Sequence, residues 1–313
     1  MNFPVFDLHC DTALALLDRE GNIVNNLAQN DLHIDLNRAG ELPGYAQCFA
    51  CFTTTLFNQS PQLTFERELE AIVSQIEMNN DKMCQAYSTD DILNNQKSGL
   101  MSAILTIEGP AGFDFNPEML EQLHRVGFRI TTLGWNEKNP LTGSHVTGGG
   151  LTDLGRVYVK QAQALNMLID VSHISDEGFW DIMQVSEKPI IASHSNSRMV
   201  CDVSRNLTDD MFLAICQSGG VTGINLYTDF LGPDANIDTV CQHILHFLEL
   251  DPSGKHIALG GDLDGCETLP IGFHGVQDYA KLADHLLAHG LSSTMIQDIF
   301  WNNAVGVMKR CCI

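Results

Sequence analysis

The chain has 313 residues, of which 44% are hydrophobic and 18% are charged, a composition typical of a globular protein with a large core. Its formal net charge of -22 repels phosphate backbones and anionic membrane surfaces, so no nucleic-acid partner is expected. The sequence shows no basic region followed by a long apolar stretch, and no segment approaches the ~18 apolar residues of a membrane span. Ten cysteines are scattered without framework spacing. We therefore predict a cytoplasmic protein with reduced thiols and no membrane anchor.

Short apolar runs rich in β-branched residues predict eight strands. In chain order they cover residues 3–8, 46–53, 102–107, 128–133, 167–171, 189–192, 220–224 and 256–259. Stretches with helical periodicity lie between most of them, and this alternation predicts a parallel sheet covered by helices. Periodicity alone fits an open doubly wound sheet as well as a closed barrel. Reactive residues follow several widely separated runs, which favours a (β/α)8 TIM barrel that spans residues 1–313 as a single domain.

Side chains that can bind a metal follow five of the predicted strands. They are His9 and Asp11, Glu108, His173, His194 and Asp262. Strand alternation places His9 and Asp11 on one side of the first strand, with Cys10 opposite. Five such strand ends are unlikely as separate accidents, because burying unpaired charge costs several kcal/mol.

Three imidazoles together with carboxylates favour two divalent ions such as Zn²⁺ over Mg²⁺ or Ca²⁺. Glu108 has two oxygens with which to bridge an ion pair, leaving the two residues of the first strand for one ion. His173 and His194 then serve the other ion. A hydroxide that bridges two such ions would be a nucleophile at neutral pH.

The remaining need is a group that moves a proton. Asp262 follows the eighth strand and is placed to take a proton from water and pass it to a leaving amine. Its neighbour Asp264, in the same GGDLDG segment, is chemically equivalent at this point. The glycine-rich loop 136–152 fits an active-site loop and a plain flexible connection equally well.

Two cysteine motifs invite a functional interpretation. Cys48 and Cys51 form a lone CxxC inside a predicted buried strand, so we interpret them as structural. Cys311 and Cys312 are adjacent at the tail, where we expect a frayed end without function.

Several motifs together resemble the membrane, or renal, dipeptidases of peptidase family M19, and the resemblance spans nearly the whole chain. They are DLHCDT, TIEGP, GGLTDLG, LIDVSHIS, IIASHSNSRMVC with SRN, GGDLDG and WNNAVGVM. The resemblance implies a dinuclear zinc site on the same five ligands, with Glu108 as the bridge. It also implies a homodimer, a dipeptide as the substrate and tolerance of a D residue at the C-terminal position.

The resemblance assigns further roles. Asp262 rather than Asp264 handles the proton, and Arg205 binds the terminal carboxylate of the dipeptide, a bidentate task that suits a guanidinium. Renal-type members carry a substrate-contacting histidine after the fourth strand, where this chain has Trp135 and Asn136. We expect these two residues to line the substrate pocket.

Two other side chains are candidates for the same pocket. Tyr227 follows the seventh strand, and His145 in the glycine-rich loop is a candidate to replace the missing histidine. An ordinary packing role for Tyr227 and a solvated position for His145 are the competing interpretations.

Two alternatives to a metal-dependent dipeptidase stay open. Another amidohydrolase-type reaction, on an N-acyl amino acid or a cyclic amide, would use the same metals, and many such enzymes bridge them with a carboxylated lysine. Lys138 is near the fourth strand but not at its end, so Glu108 favours the dipeptidase. The second alternative is a catalytically silent barrel that binds a peptide or a metal, and the intact ligand set argues against it.

Overall fold

The structure, a computed structural model, describes residues 3–53 and 59–312. Its strands are β1 (Val5–Cys10), β2 (Tyr45–Phe52), β3 (Met83–Gln85), β4 (Met101–Glu108), β5 (Phe128–Thr132), β6 (Leu168–Asp170), β7 (Ile190–Ile191), β8 (Thr222–Ile224) and β9 (Ile257–Leu259). All strand pairs are parallel, in the order β7-β6-β5-β4-β2-β1-β9-β8. A bridge between Ala192 and Thr222 joins the two ends of this order. The eight strands therefore form a barrel, which confirms the predicted (β/α)8 fold.

The remaining strand, β3, was not predicted. It pairs only with β4, from Met83 beside Met101 to Gln85 beside Ala103, and lies outside the barrel order. Its three residues are one buried, one exposed and one half-buried side chain, so the sequence carries no continuous apolar run there.

Helices connect the strands and cover the outside of the barrel. They are α1 (Thr12–Ala15), α2 (Leu36–Ala39), α3 (Pro61–Met78), α4 (Thr89–Lys97), α5 (Leu120–Val126), α6 (Asp153–Ala164), α7 (Asp176–Val185), α8 (Asp209–Ser218), α9 (Thr228–Leu231), α10 (Ile237–Leu250), α11 (Tyr279–Ala288), α12 (Ser293–Gln297) and α13 (Asn303–Cys311). Ser or Thr caps several of them; for example, Thr152, Ser175 and Thr208 each accept a hydrogen bond from the first turn. Within the described ranges, no helix is both long and apolar enough to cross a membrane.

One apolar layer lies on each side of the barrel wall. The inner layer takes side chains from seven of the eight barrel strands, including Phe6, Ile104 and Ile191, and from Val221, which directly precedes β8. The outer layer packs the other strand face against the helices. Cys48 belongs to the inner layer and Cys51 to the outer one, so these two cysteines point to opposite sides and are structural.

The C-terminal segment packs against the inner layer at the amino-terminal end of the barrel. Trp301 lies 5.9 Å from the ring of Phe6, and Val307 and Met308 of α13 belong to the same apolar cluster. Cys311 and Cys312 are both buried, and Cys312 donates from Sγ to the carbonyl of Arg129. The expectation of a frayed tail at these cysteines is therefore wrong, because α13 closes the barrel.

Candidate metal centre

All six predicted ligand and proton-transfer residues lie together at the carboxyl ends of the strands. They are His9 and Asp11 at the end of β1, Glu108 at the end of β4, His173 after β6, His194 after β7 and Asp262 after β9. Five of them are at most 9% exposed, and the side chain of Asp262 is 13% exposed, so their charges need internal compensation.

The first part of the centre, which we call the carboxylate half, consists of His9, Asp11 and Asp262. His9 Nε2 lies 3.8 Å from Asp11 Oδ1 and 3.8 Å from Asp262 Oδ1. It also lies 3.3 Å from Glu108 Oε2. Cys10 packs in the outer apolar layer instead, as strand alternation predicted.

The second part, the imidazole half, consists of His173 and His194. Their Nε2 atoms are 3.0 Å apart, and Glu108 Oε1 lies 3.0 Å from the first and 3.6 Å from the second. His173 Nδ1 donates to Asn136 Oδ1 at 3.0 Å, and His194 Nδ1 donates to Ser193 Oγ at 2.7 Å. Both neutral rings therefore turn an Nε2 lone pair toward the same carboxylate oxygen, and three acceptors face one another without a proton between them.

These contacts fit divalent cations. His9 Nε2 and Asp11 Oδ1 are buried and have no hydrogen-bond partner among the described residues. The donor set of imidazoles and carboxylates is one that Zn²⁺ and related ions prefer. Glu108 contacts both halves through different oxygens, as a bridging ligand would.

The two halves differ in protonation. Burial disfavours a charged His9, but the carboxylates of Glu108, Asp11 and Asp262 outweigh it and raise the pKa of His9 from its ordinary value of 6.5 to about 10. Burial, together with the charge of Arg205, lowers the pKa of His173 to about 3.

Residues behind the imidazole half hold its rings in place. The Ser193 hydroxyl donates to Asp170 Oδ2, which leaves its oxygen as the acceptor for His194 Nδ1. Asp170 Oδ1 also accepts from the backbone of Ser172 and Ser193, so the carboxylate is itself fixed. Such outer contacts set the tautomer of a ligating histidine. Sequence reasoning missed Asp170 and Ser193, although both stand within three residues of a predicted ligand.

Asp262 is held so that one oxygen faces the centre. Its Oδ2 accepts from Asn225 Nδ2 at 3.0 Å, while its Oδ1 faces His9. Its backbone has a φ of 56°, and a Cβ on Gly265 would stand 2.6 Å from Asp262 Oδ1, so the GGDLDG segment needs glycine there. Asp264 instead accepts from Thr12 Oγ1 and from the backbone of His33, which gives it a structural role.

Arg205 is buried beside the centre with two unused donors. Its Nη1 donates to Ser195 Oγ at 2.6 Å, and its guanidinium lies over the ring of Phe230 at 5.6 Å. Its Nε and Nη2 are buried and have no partner in the part of the chain that the structure describes. A buried guanidinium with two adjacent free donors is suited to a carboxylate.

Three further candidates lie around the imidazole half. Trp135 packs edge-on against Phe52 at 4.9 Å and lies 6.2 Å from the ring of His173. His145 Nε2 contacts Asn136 Oδ1 at 2.9 Å, and its Nδ1 contacts Ser204 Oγ at 3.0 Å. The glycine-rich loop thus reaches the outer contacts of the centre. Two imidazoles share Asn136 Oδ1, so the Asn136 amide nitrogen is turned away from both.

Tyr227 stands farther out than the other candidates. Its ring packs edge-on against Phe230 at 4.9 Å, and Phe230 in turn contacts Arg205. Burial and the nearby carboxylate of Glu267 raise the pKa of the Tyr227 hydroxyl above its ordinary value. Tyr227 therefore packs beside Arg205 rather than against the predicted metal ligands.

The fold and the site together define a metal-dependent hydrolase built on a (β/α)8 barrel. A family model described as membrane dipeptidase, peptidase family M19, matches residues 1–311. The chain belongs to this family and is a metal-dependent dipeptidase.

Comparison with individual proteins agrees with this assignment. An uncharacterized dipeptidase of Schizosaccharomyces pombe is 30% identical over 98% of this chain and 81% of its own length. Dipeptidase 3 of Mus musculus is 28% identical over 99% of this chain and 64% of its own length. A metallo peptidase from Rhodobacter sphaeroides, crystallised with a phosphinate mimic of the dipeptide L-Ala-D-Ala, has a TM-score of 0.90 at 23% identity, covering 99% of this chain and 100% of that chain. This last likeness shows the shared fold.

Proposed function

We propose that this chain hydrolyses dipeptides, including those with a C-terminal D residue, with two Zn²⁺ ions held by the carboxylate and imidazole halves. The observation that carries the proposal is the convergence of Glu108 with the Nε2 lone pairs of His173 and His194, without a proton between them. Glu108 would bridge the ions, His9 and Asp11 would hold one, and the two histidines would hold the other. Bound divalent ions supply a Lewis acid for the scissile carbonyl and lower the pKa of water.

The protein's own residues would position the substrate. Arg205 would bind the terminal carboxylate of the dipeptide with Nε and Nη2, which have no other partner in the described ranges. Trp135 would form one wall of the pocket, and the amide nitrogen of Asn136, which is turned away from both imidazoles, would donate to the substrate. Tyr227 would act indirectly, through Phe230, on the position of the guanidinium.

Asp262 would move the proton. Its Oδ1 is the oxygen that faces the centre, while Asn225 occupies Oδ2, so Oδ1 would take a proton from the attacking water. Burial raises the pKa of Asp262, which suits an acid that must then deliver that proton to the leaving amine.

The alternative amidohydrolase-type reaction is less well supported, because no lysine stands where a carboxylated lysine would bridge the metals in the described structure. Lys138 is exposed, and Glu108 occupies the position between the two halves. A panel of dipeptides with L and D C-terminal residues, run beside N-acyl amino acids with metal content measured on the same sample, tests the proposal. We expect turnover of the dipeptides only. Turnover confined to N-acyl amino acids, or none with two ions bound, would contradict it.

The role of Arg205 has its own test. Arg205→Lys keeps the charge but removes the paired donors, and we expect kcat/KM for a dipeptide to fall by roughly 10- to 100-fold, mainly through KM. The matched substrate is the same dipeptide amidated at its C-terminus, which lacks the carboxylate. An equal loss on both substrates would show that Arg205 does not bind the carboxylate.

Location and assembly are further proposals. All ten cysteines are free thiols, which supports a reducing compartment such as the cytoplasm. A homodimer is expected from the family alone, and sedimentation velocity would test it.

A further inference from the structure

A second group of metal-binding side chains lies at the opposite end of the barrel from the catalytic centre. Cys216 is near the end of α8, Asp251 directly follows α10, and His256 directly precedes β9. One ligand atom from each side chain lies within 4.8 Å of the others. Three separate segments thus bring a thiol, a carboxylate and an imidazole together beside the amino-terminal ends of β8 and β9.

The carboxylate of Asp251 is only partly satisfied. Its Oδ1 accepts from the backbone of Ser253 at 3.1 Å, but its Oδ2 is buried and has no partner among the described residues. A buried carboxylate oxygen without a donor is costly, and native proteins rarely keep one without a water or an ion.

Burial and the charge of Asp251 together raise the pKa of the Cys216 thiol to about 12. A bound cation would release that proton, because metal ligation requires the thiolate.

The imidazole of His256 is oriented as a ligating histidine would be. Its Nδ1 donates to the carbonyl of Gly220 at 2.7 Å, which leaves Nε2 as the nitrogen with a lone pair. A carbonyl that fixes the outer ring nitrogen is the usual second contact of a histidine bound to a metal. No hydrogen bond joins His256, Cys216 and Asp251 to one another in the described structure, so their donor atoms are not consumed by mutual pairing.

We propose that Cys216, Asp251 and His256 bind a divalent cation of the Zn²⁺ class, separate from the catalytic ions. A thiolate and an imidazole favour Zn²⁺ over Mg²⁺ or Ca²⁺, and water would complete a tetrahedral shell around three protein ligands. The cation would tie the end of α8 to the connection between α10 and β9. Because the amino-terminal end of such barrels serves stability rather than chemistry, its expected effect is on unfolding and not on turnover.

A third cluster of possible metal ligands differs from this one, because its carboxylate already has hydrogen-bond partners. Asp238, Cys241 and His289 also bring ligand atoms within 4.8 Å of one another. There, however, Asp238 Oδ1 already contacts His285 Nδ1 at 2.8 Å and His289 Nε2 at 3.4 Å. Asp238 and His289 are exposed, whereas Cys241 is buried. This cluster is satisfied without an ion and serves as the matched control.

Cobalt spectroscopy on the full chain tests the proposal. The catalytic centre offers only nitrogen and oxygen ligands, so a thiolate-to-Co²⁺ charge-transfer band in the near ultraviolet would report a different site. We expect that band in the wild-type protein loaded with Co²⁺ and its loss in Cys216→Ser. It should persist in Cys241→Ser, in Cys84→Ser and in Cys266→Ser, the last of these lying beside the catalytic centre. Absence of the band from the wild type, or its loss only in one of the three controls, would overturn the proposal.

A second variant tests the proposal even if Cys216→Ser does not fold. Asp251→Asn keeps the shape of the side chain, and we expect Co²⁺ to bind the thiolate site about tenfold more weakly or worse. Zn²⁺ should also raise the Tm of a variant with weakened catalytic ligands, such as Glu108→Gln, and that increase should become smaller when Cys216→Ser is added. Unchanged Co²⁺ affinity in Asp251→Asn would contradict the assignment. Dipeptidase activity is not needed for either readout, so the proposed function can fail independently.

Discussion

The two halves of the catalytic centre share Glu108 but are prepared for a cation in different ways. In the carboxylate half, Asp11 and Asp262, together with the shared Glu108, surround His9, whose Nε2 has no hydrogen-bond partner among the described residues. In the imidazole half, hydrogen bonds from the outer ring nitrogens fix the tautomers of His173 and His194. One half attracts a cation by charge, whereas the other offers oriented lone pairs. We therefore expect substitutions to affect the two ions unequally.

The largest expected effect is the loss of the shared ligand. Glu108→Gln removes a negative charge that contacts both halves, and we expect metal affinity at both positions to fall by more than about 100-fold, since even residues that only orient a ligand change it by about 10- to 100-fold. Activity should fall with it. Metal content by mass spectrometry, with exposed Glu121→Gln as the control, measures this. Loss of one ion with the other retained at full affinity would show that Glu108 does not bridge.

The next effect separates the two aspartates of the GGDLDG segment. Asp262→Asn should lower kcat by roughly 10²- to 10⁴-fold, because the amide cannot accept the proton. Asp264→Asn should leave kcat within a few-fold and lower stability by about 1–3 kcal/mol, because Asp264 only accepts hydrogen bonds from Thr12 and His33. Steady-state kinetics and urea unfolding on both variants decide this. The reverse pattern would move the proton-transfer role to Asp264.

A smaller effect tests whether the imidazole half depends on its outer contacts. Ser193→Ala and Asn136→Ala each remove the acceptor for an Nδ1 proton. Each should lower the affinity for the ion of the imidazole half by about 10- to 100-fold and leave the affinity for the other ion unchanged. Zn²⁺ titration against a chromogenic chelator resolves the two affinities. Equal weakening of both ions would show that the halves do not behave separately.

The smallest effect is a pH dependence of the metal-free protein. The folded pKa of His9, about 10, lies above its ordinary value of 6.5. Protonated His9 therefore contributes fully to the free energy of unfolding below about pH 6.5, and this contribution is lost as the pH rises toward 10. The folded pKa of His173, about 3, lies below 6.5, so stability falls as the pH drops from 6.5 toward 3.

Urea unfolding in the presence of a chelator measures both limbs. His9→Asn should flatten the alkaline limb alone, and His173→Asn should reduce the slope of the acid limb alone. If both variants change the same limb, the contrast between the halves is wrong.

The fold could be predicted from the sequence largely because eight apolar runs are separated by amphipathic stretches. The strand β3 escaped prediction because only Met83 of its three residues is buried, and its partner β4 supplies the pairing. The burial of Cys311 and Cys312 was not predicted either, because the packing of α13 against the end of the barrel depends on residues distant in sequence, such as Phe6.

The predicted ligands converge because strand ends of a parallel barrel meet on one face. Their supports could not be predicted in the same way. Asp170 lies in the LIDVSHIS motif without a role assigned to it, Asn225 lies in none of the motifs, and their partners Ser193 and Asp262 are 23 and 37 residues away in sequence. The positive φ values of His173 and Asp262 likewise depend on the surrounding loops.

The central claim is that Glu108 joins two cation sites of unequal design. Anomalous diffraction at the zinc edge, on crystals of active protein loaded with Zn²⁺, tests it most directly. We predict two peaks at the carboxyl ends of the strands, one beside His9 and Asp11 and one beside His173 and His194, with Glu108 between them. A single peak there in fully active protein, or two peaks without contact to Glu108, would contradict the account.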